Sequence, residues 1–160
     1  MIYCEPKPDE AILAEIAGSK KVFLLGCSVC ANFSYCVQNG LESPAWAGLK
    51  GAVNVKQEII RLKEVLSKRG IRTGTGTILA LCFVTKEKRE KFLERTRDYE
   101  TVVTLSCEVG KRNAEGFLKG KNVVGAMTNK GFMRAIVDKD GITYRFEKDE
   151  LYINNTKYAG

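Results

Sequence analysis

Continuous apolar runs, separated by segments with helical periodicity, form the main pattern of the chain. The first run covers residues 22–25 and stops at Gly26, and a second strand is predicted over 77–84. Runs without polar alternation are typical of strands buried on both faces, as in a parallel sheet. Two more strands are predicted at 101–107 and 122–126.

Helical patterns fill the spaces between these strands. A helix is predicted from Asn54, where apolar residues recur three and four positions apart and Gly70 marks the end. Thr85 is the predicted cap of a helix over 86–99, and a short helix is predicted near 112–118. Alternating strands and helices predict an α/β fold, a Rossmann-like three-layer sandwich with a mostly parallel four-stranded sheet.

The two ends of the chain carry other patterns. Near the start, a short helix is predicted over 11–16, after Pro8 and before Gly18. Near the end, residues 133–155 alternate apolar with polar around an Asp-Gly turn, which predicts an antiparallel hairpin. The glycine- and threonine-rich stretch 70–77 is interpreted as a flexible entry to the second strand.

The chain of 160 residues has the length and composition of one globular domain, 1–160, with a cysteine-rich loop over 26–40. Its longest apolar runs are far too short to span a membrane. The amino-terminal residues also lack the basic start and apolar stretch of a secretion signal. We therefore expect a cytoplasmic protein that does not engage a membrane.

Six cysteines and the absence of histidine decide which chemistry is open to the chain. Without histidine, catalysis by Ser-His-Asp or Cys-His groups and mixed Cys/His zinc sites are excluded. Reduced thiols fit a chain of this size, without a secretion signal, better than disulfides do. Metal binding or redox chemistry through cysteine is therefore the expected use.

Five of the cysteines are expected to meet at one edge of the sheet. Three lie at or just after the end of the first strand, one near the end of the second strand, and one at the end of the third. Parallel strands open their carboxyl ends onto the same edge, where ligands bind. The candidate site residues are Cys27, Cys30, Cys36, Cys82 and Cys107. Cys4 is expected to stand apart.

Ligation by thiolates alone suits an iron–sulfur cluster or zinc. The spacing Cys27-x2-Cys30-x5-Cys36 matches neither ferredoxin pattern, so the argument depends on distant cysteines reaching one place. Burial as small hydrophobic residues is a competing interpretation, strongest for Cys82 inside an apolar run. Disulfide exchange through Cys27 and Cys30 is a third, weakened because no helical pattern directly follows the pair.

The net charge of +7 carries less information. Lysine and arginine are mixed with acids in helical stretches such as 86–91, which indicates solvated helix faces rather than a phosphate-binding stripe. Nucleic acid is therefore not expected as a partner. An acidic protein partner or an anionic cofactor fits the charge.

The segment 21–30, Lys-Val-Phe-Leu-Leu-Gly-Cys-Ser-Val-Cys, with Cys36 and Gly40 beyond it, resembles the opening of the MetV-type family. The resemblance continues through Cys82, Leu105-Ser106-Cys107, Gly110 and the segment 124–129. These small cysteine-rich proteins and domains accompany methylenetetrahydrofolate reductase in anaerobes. The resemblance implies an iron–sulfur or zinc protein that passes electrons to a flavin-containing reductase subunit. It does not imply that this chain binds folate.

The chain departs from that family at two points. Its third cysteine follows the second after five residues, where the family has a shorter gap. The cysteine-rich carboxyl-terminal segment of fuller members is replaced by the predicted hairpin, so a second metal site is not expected.

We therefore expect one [4Fe–4S] cluster held by four of the five cysteines of the rim, in an accessory or electron-transfer subunit rather than a catalyst acting alone. A zinc-stabilised interaction module is the alternative. A thiol oxidoreductase that uses Cys27 and Cys30 is the third hypothesis.

Overall fold

A computed structural model of the chain describes residues 1–39 and 53–132, together with the backbone of short strands between residues 43 and 157. The helices are α1 (Asp9–Glu15), α2 (Cys30–Asn39), α3 (Val53–Ser67), α4 (Lys86–Arg95) and α5 (Glu108–Phe117). The longer strands are β1 (Ile2–Pro6), β2 (Lys21–Cys27), β4 (Arg72–Ile78), β5 (Thr101–Leu105), β6 (Asn122–Gly125) and β7 (Met127–Phe132). The short strands are β3 (Ser43–Pro44), β8 (Ile136–Val137), β9 (Thr143–Arg145), β10 (Tyr152–Ile153) and β11 (Thr156–Lys157).

The central sheet contains four parallel strands in the order β4-β2-β5-β6. β2 and β5 lie in the middle, where neighbouring strands and the helices of both faces bury almost every residue of both strands. Their uninterrupted apolar sequences are the consequence of this position. The predicted α/β sandwich with a parallel four-stranded sheet is therefore confirmed.

Helices cover both faces of this sheet. On one face, Ile59 of α3 lies against β2 at Gly26. Phe23, three residues earlier and therefore on the other face, lies under the guanidinium of Arg95 in α4, 5.6 Å away. Lys111 of α5 covers β6 on that second face. The connections from β2 to β4 and from β5 to β6 thus leave on opposite faces, and a crevice opens between the ends of β2 and β5.

The second strand of the sheet lies earlier than predicted. β4 occupies the stretch interpreted as a flexible entry, and most of the predicted strand 77–84 forms bends and turns before α4. An edge strand is less buried than a central strand. Its sequence is therefore not a continuous apolar run. Its glycines are required because a Cβ at Gly74 would lie 2.9 Å from the ring of Phe23.

A helix occupies most of the predicted cysteine-rich loop over 26–40. α2 begins at Cys30, directly after the turn that follows β2. Its cysteine, asparagine and serine residues have modest helix propensity, which is why the sequence pattern does not predict it. Packing against β1 and α3 overrides that preference, and Phe33 and Val37 are buried there.

A second, antiparallel sheet flanks the first. β1 pairs with β7, which also pairs with β10, and neither β1 nor β7 is predicted from the sequence. In the tail, β8 and β9 form the predicted hairpin, with Val137 opposite Tyr144. The Asp-Gly turn between these two strands lies outside the described residues.

Several helix ends follow the predicted signals. Gly18 and Gly70 adopt the left-handed conformation after α1 and α3, with φ of 85° and 72°. The Thr85 side chain accepts the Lys88 N–H at the start of α4. α5 begins earlier than predicted, directly after Cys107. Among the helices within the described residues, none has the length and apolar character needed to cross a membrane.

Candidate functional site

Four cysteines meet where β2 and β5 end. Cys27 is the last residue of β2, Cys30 is the first residue of α2, and Cys107 caps the start of α5 directly after β5. Cys4 joins them from β1, and electrostatic interactions connect its thiol with Cys27 and Cys107. We call Cys4, Cys27, Cys30 and Cys107 the thiol cluster. All six cysteines of the chain carry thiols rather than disulfides.

A hydrogen bond joins Cys30 and Cys107 at the centre of the thiol cluster. The Cys30 thiol donates to the Cys107 sulfur, and this bond is the largest cause of the lowered pKa of Cys107, which is about 6. The N–H groups of Gly110 and Val109, in the first turn of α5, also lower this pKa, while burial raises it. The same bond raises the pKa of Cys30, because loss of the shared proton would place two negative sulfurs together. Of the two sulfurs, Cys107 is therefore the one whose thiolate form is favoured.

Backbone N–H groups are directed at three of the four sulfurs. The donors come from β1, from the turn after β2, from the turn after β4 and from α5. Ile2 donates to Cys30, Val29 and Leu81 donate to Cys27, and Val109 and Gly110 donate to Cys107. Such donors favour the charged form of a sulfur ligand and adjust the potential of an iron–sulfur centre.

Side chains from α2 and β7 hold Cys4 in place. Its N–H donates to Ser34 Oγ at 3.0 Å, and Gln38 donates to its carbonyl at 2.8 Å. Its thiol donates to Asn129 Oδ1 at 3.7 Å, and the same oxygen accepts the Glu108 N–H at 3.0 Å. Burial raises the pKa of Cys4 to about 12, so this thiol is neutral.

The expectation that Cys4 stands apart from the site is wrong. The reason is the pairing of β1 with β7, which brings the amino-terminal strand beside α2 and the start of α5. The only local signal is the short apolar stretch before Pro6, and it does not reveal a partner strand more than a hundred residues away.

The two other predicted site cysteines are not members of the thiol cluster. Cys36 is fully buried in α2, six residues after Cys30, and a helix turns by about 240° over that separation. α2 therefore presents these two side chains on different faces. Cys82 lies in the turn after β4 and is exposed, so burial as a hydrophobic residue does not explain it. An electrostatic interaction still connects Cys82 with Cys27.

The donor chemistry of the thiol cluster suits a thiolate-bound group. All four donors are sulfur, and backbone amides supply positive potential around them. Within residues 1–39 and 55–132, no three cysteine or carboxylate side chains are arranged around a point as metal ligands. The buried Ser28 hydroxyl, in the turn between Cys27 and Cys30, has no hydrogen-bond partner in this part of the chain. The Ser28 hydroxyl can therefore donate a hydrogen bond to a bound group.

The start of α2 at Cys30 also changes the assessment of disulfide exchange. A helix does follow the Cys27-Ser28-Val29-Cys30 segment directly, contrary to the sequence interpretation. The thiol with the lowered pKa is nevertheless Cys107, and its hydrogen-bonded neighbour is Cys30 rather than Cys27. Any dithiol chemistry in this arrangement therefore belongs to Cys30 and Cys107.

Comparisons of the chain with protein-family models, with curated proteins and with solved structures find no match. The functional interpretation therefore depends on the site and on the family resemblance of the sequence.

Proposed function

We propose that the thiol cluster binds one thiolate-ligated inorganic group, a [4Fe–4S] cluster, and that the protein serves as an electron-transfer or accessory subunit. The observation that carries this proposal is the set of backbone N–H groups from four separate segments that surround the sulfurs of Cys27 and Cys107, which are buried, and of Cys30, which is partly buried. A buried structural cysteine needs no such donors, whereas thiolate ligands are stabilised by them.

We propose Cys27, Cys30 and Cys107 as three of the ligands, because their sulfurs receive the backbone donors. Cys4 is the fourth candidate because it interacts with two of them from inside the protein. Cys82 is the alternative fourth ligand, since it lies beside Cys27 at the surface. The chain's own contribution is to exclude water, to neutralise sulfur charge and to hold four segments around one point.

The partner and the metabolic setting follow from the family resemblance. A flavin-containing reductase subunit of methylenetetrahydrofolate reductase type is the proposed electron partner, and the cytoplasm is the proposed location. Reduced thiols in all six positions fit a reducing compartment. An exposed cysteine and the neighbouring exposed Phe83, 82% accessible, lie next to the cluster, where a partner would approach.

Metal analysis of protein purified without oxygen tests the proposal. We expect iron and acid-labile sulfide in equal amounts, close to the composition of one [4Fe–4S] cluster per chain, with the brown colour of such clusters. Cys30→Ser and Cys107→Ser should lose most of the iron. Cys82→Ser is the matched surface control. It should keep its iron when Cys4 is the fourth ligand. A colourless, metal-free protein whose six thiols all react would refute the proposal.

Zinc is the second candidate for the same thiol cluster, because four sulfur donors also satisfy its tetrahedral preference. The same analysis separates the two groups, since zinc leaves the visible spectrum empty. A zinc site would make the protein a stabilised interaction module, and chelation should then unfold it.

Disulfide exchange is a third candidate, favoured by the hydrogen bond between Cys30 and Cys107. It predicts reduction of a test disulfide by the metal-free protein, lost in Cys107→Ser and kept in Cys27→Ser. The iron–sulfur proposal predicts that both variants lose the bound group.

A further inference from the structure

One edge of the central sheet is open within the described part of the chain. β4 pairs with β2 on one side, and no described strand pairs with its other side. The Arg72 N–H and the Ile78 carbonyl both bond toward β2, at 3.0 and 2.8 Å. Backbone groups alternate in direction along a strand. The N–H and C=O groups of Thr73, Thr75 and Thr77 therefore point outward.

Three of the usual protections of an exposed edge are missing from β4. The strand is seven residues long, has no proline, and pairs with β2 in an unbroken register. Proline, bulges and very short edge strands are the devices that prevent pairing with another chain. The Thr75 carbonyl accepts a hydrogen bond from Arg95 Nη2 at 3.0 Å, a contact that an incoming backbone N–H would replace.

Grooves with basic walls border this edge on both faces of the sheet. A groove of about 470 Å³ lies beside α4 and is lined by Lys88, Lys91 and Arg95. A second groove of about 300 Å³ lies beside α3 and is lined by Lys56 and Lys63. One glutamate is the single acidic residue that lines either groove. Basic side chains therefore outnumber acidic ones along both grooves, and one of them, Lys91, is paired with Glu87.

Each groove also offers apolar surface. Ile60 of the α3 groove is 57% exposed, and Leu79 of the α4 groove is 40% exposed. Side chains of an added strand alternate between the two faces. A strand that carries both acidic and apolar side chains would therefore find matching contacts in each groove.

We propose that the open edge of β4 binds an extended acidic segment of a partner protein, which adds to the central sheet as a further strand. The outward backbone groups supply the hydrogen bonds, and the basic and apolar walls select the side chains. The end of β4 lies beside Cys82, so a segment bound here leads the partner to the surface next to the thiol cluster. This surface does not depend on the identity of the bound group.

The backbone geometry favours a peptide over a nucleic acid. A nucleic acid would use the basic side chains but would leave the outward N–H groups of β4 without the regular acceptors that a peptide strand provides. Protection of those amides is the readout that distinguishes the two.

Binding of the peptide Glu-Glu-Val-Val-Glu-Glu-Val, which has the length of β4, tests the proposal. Fluorescence anisotropy measures its affinity, and amide hydrogen exchange followed by NMR locates it. We expect slower exchange at Thr73, Thr75 and Thr77, whereas the amides at Gly74 and Gly76 already bond within the sheet. An acidic peptide with proline in place of valine and oligothymidylate are the control ligands.

Two variants make the test specific. Thr75→Pro removes one outward N–H and leaves the hydrogen bonds with β2 intact. The protein should therefore still fold but no longer bind the peptide. Lys63→Glu combined with Lys88→Glu should weaken binding on the order of tenfold. Lys119→Glu makes the same kind of charge change in the turn before β6, the strand at the opposite edge of the sheet, and should have little effect.

Each outcome decides the proposal. Slower exchange at the three threonines together with loss of binding in Thr75→Pro supports it. Equal binding of the proline-containing peptide or of oligothymidylate, without amide protection, would show attraction of charge alone and would overturn it. Absence of binding at millimolar peptide would also overturn it, since the lysines would then serve to keep other strands away.

Discussion

β2 and β4 are neighbours in one parallel sheet, yet they differ in almost every respect. β2 is a buried apolar strand at the centre, with six of its seven residues buried. β4 is a partly exposed threonine and glycine strand at the edge, with one buried residue. β2 ends at Cys27 in the enclosed thiol cluster, whereas β4 leads to the exposed Cys82.

This difference shows that position in the sheet decides both sequence and chemistry. The central strand carries its cysteine to the crevice where connections diverge, away from water and among backbone donors. The edge strand leaves backbone groups and a thiol open to the surface. The first arrangement suits a bound inorganic group, and the second suits a partner chain.

The largest expected contrast between the two strands is in stability. Leu24→Ala in β2 removes a fully buried side chain and should lower the free energy of unfolding by about 2–5 kcal/mol. Thr75→Ala in β4 changes an exposed side chain and should cost about 0.5 kcal/mol or less. Denaturant unfolding measures both, and equal losses would contradict the distinction between centre and edge.

The same distinction explains what could be predicted from the sequence. β2 and β5 are recognisable as apolar runs because both faces of these strands are covered, so their side chains are apolar. β4 could not be recognised, since its glycines are required by Phe23 and Tyr99, residues of other segments. The apolar run that follows β4 has the pattern of a buried strand but forms bends and turns.

The candidate site was predictable to the same extent. Cys27 and Cys107 follow central strands, so their meeting follows from the topology, and Cys30 comes with Cys27. Cys4 depends on β1 pairing with β7, a contact between distant segments without a local signal. The sequence pattern assigns Cys36 to the site because it predicts a loop where α2 lies. In the helix, Cys36 and Cys30 lie on different faces.

A smaller effect on stability is expected when a side chain is added at Gly74 of β4. Gly74→Val places a branched side chain against Phe23 and Tyr99 and should destabilise the fold by about 1–3 kcal/mol. Gly116→Ala is the matched control, because an added Cβ there meets nothing within 4 Å and a helix favours alanine over glycine. A neutral Gly74→Val would mean that the rings over β4 move freely aside.

Thiol reactivity sharpens the comparison further. In folded protein, a bulky disulfide reagent should react fast with one thiol, Cys82, because it is exposed while four of the other cysteines are buried and Cys30 is partly buried. Cys82→Ser should abolish the fast phase and leave the slow phases unchanged. Rapid reaction of Cys27 or Cys107 would show that the crevice is open to solvent.

The smallest expected effect is a titration within the cluster of metal-free protein. The pKa of Cys107 is lowered from 9.0 to about 6, so ultraviolet thiolate absorbance should rise through that pH and should not do so in Cys107→Ser. Because the folded pKa is the lower one, the stability from this ionisation is complete above pH 9.0 and is lost as the pH falls toward 6.

Cys30→Ala provides the control for that titration. It removes the hydrogen bond that is the largest cause of the low pKa, so the absorbance step should move to higher pH. A step that stays near pH 6 would assign the effect to the start of α5 instead of the cysteine pair.

X-ray absorption at the metal edge of protein purified without oxygen tests the central claim most directly, because it reports which atoms surround the bound metal. We expect sulfur to be the only element bonded to the metal, and we expect the metal signal to be lost in Cys30→Ser and in Cys107→Ser. Nitrogen or oxygen neighbours, or a metal signal that both variants retain in full, would contradict the assignment of the thiol cluster as the binding site.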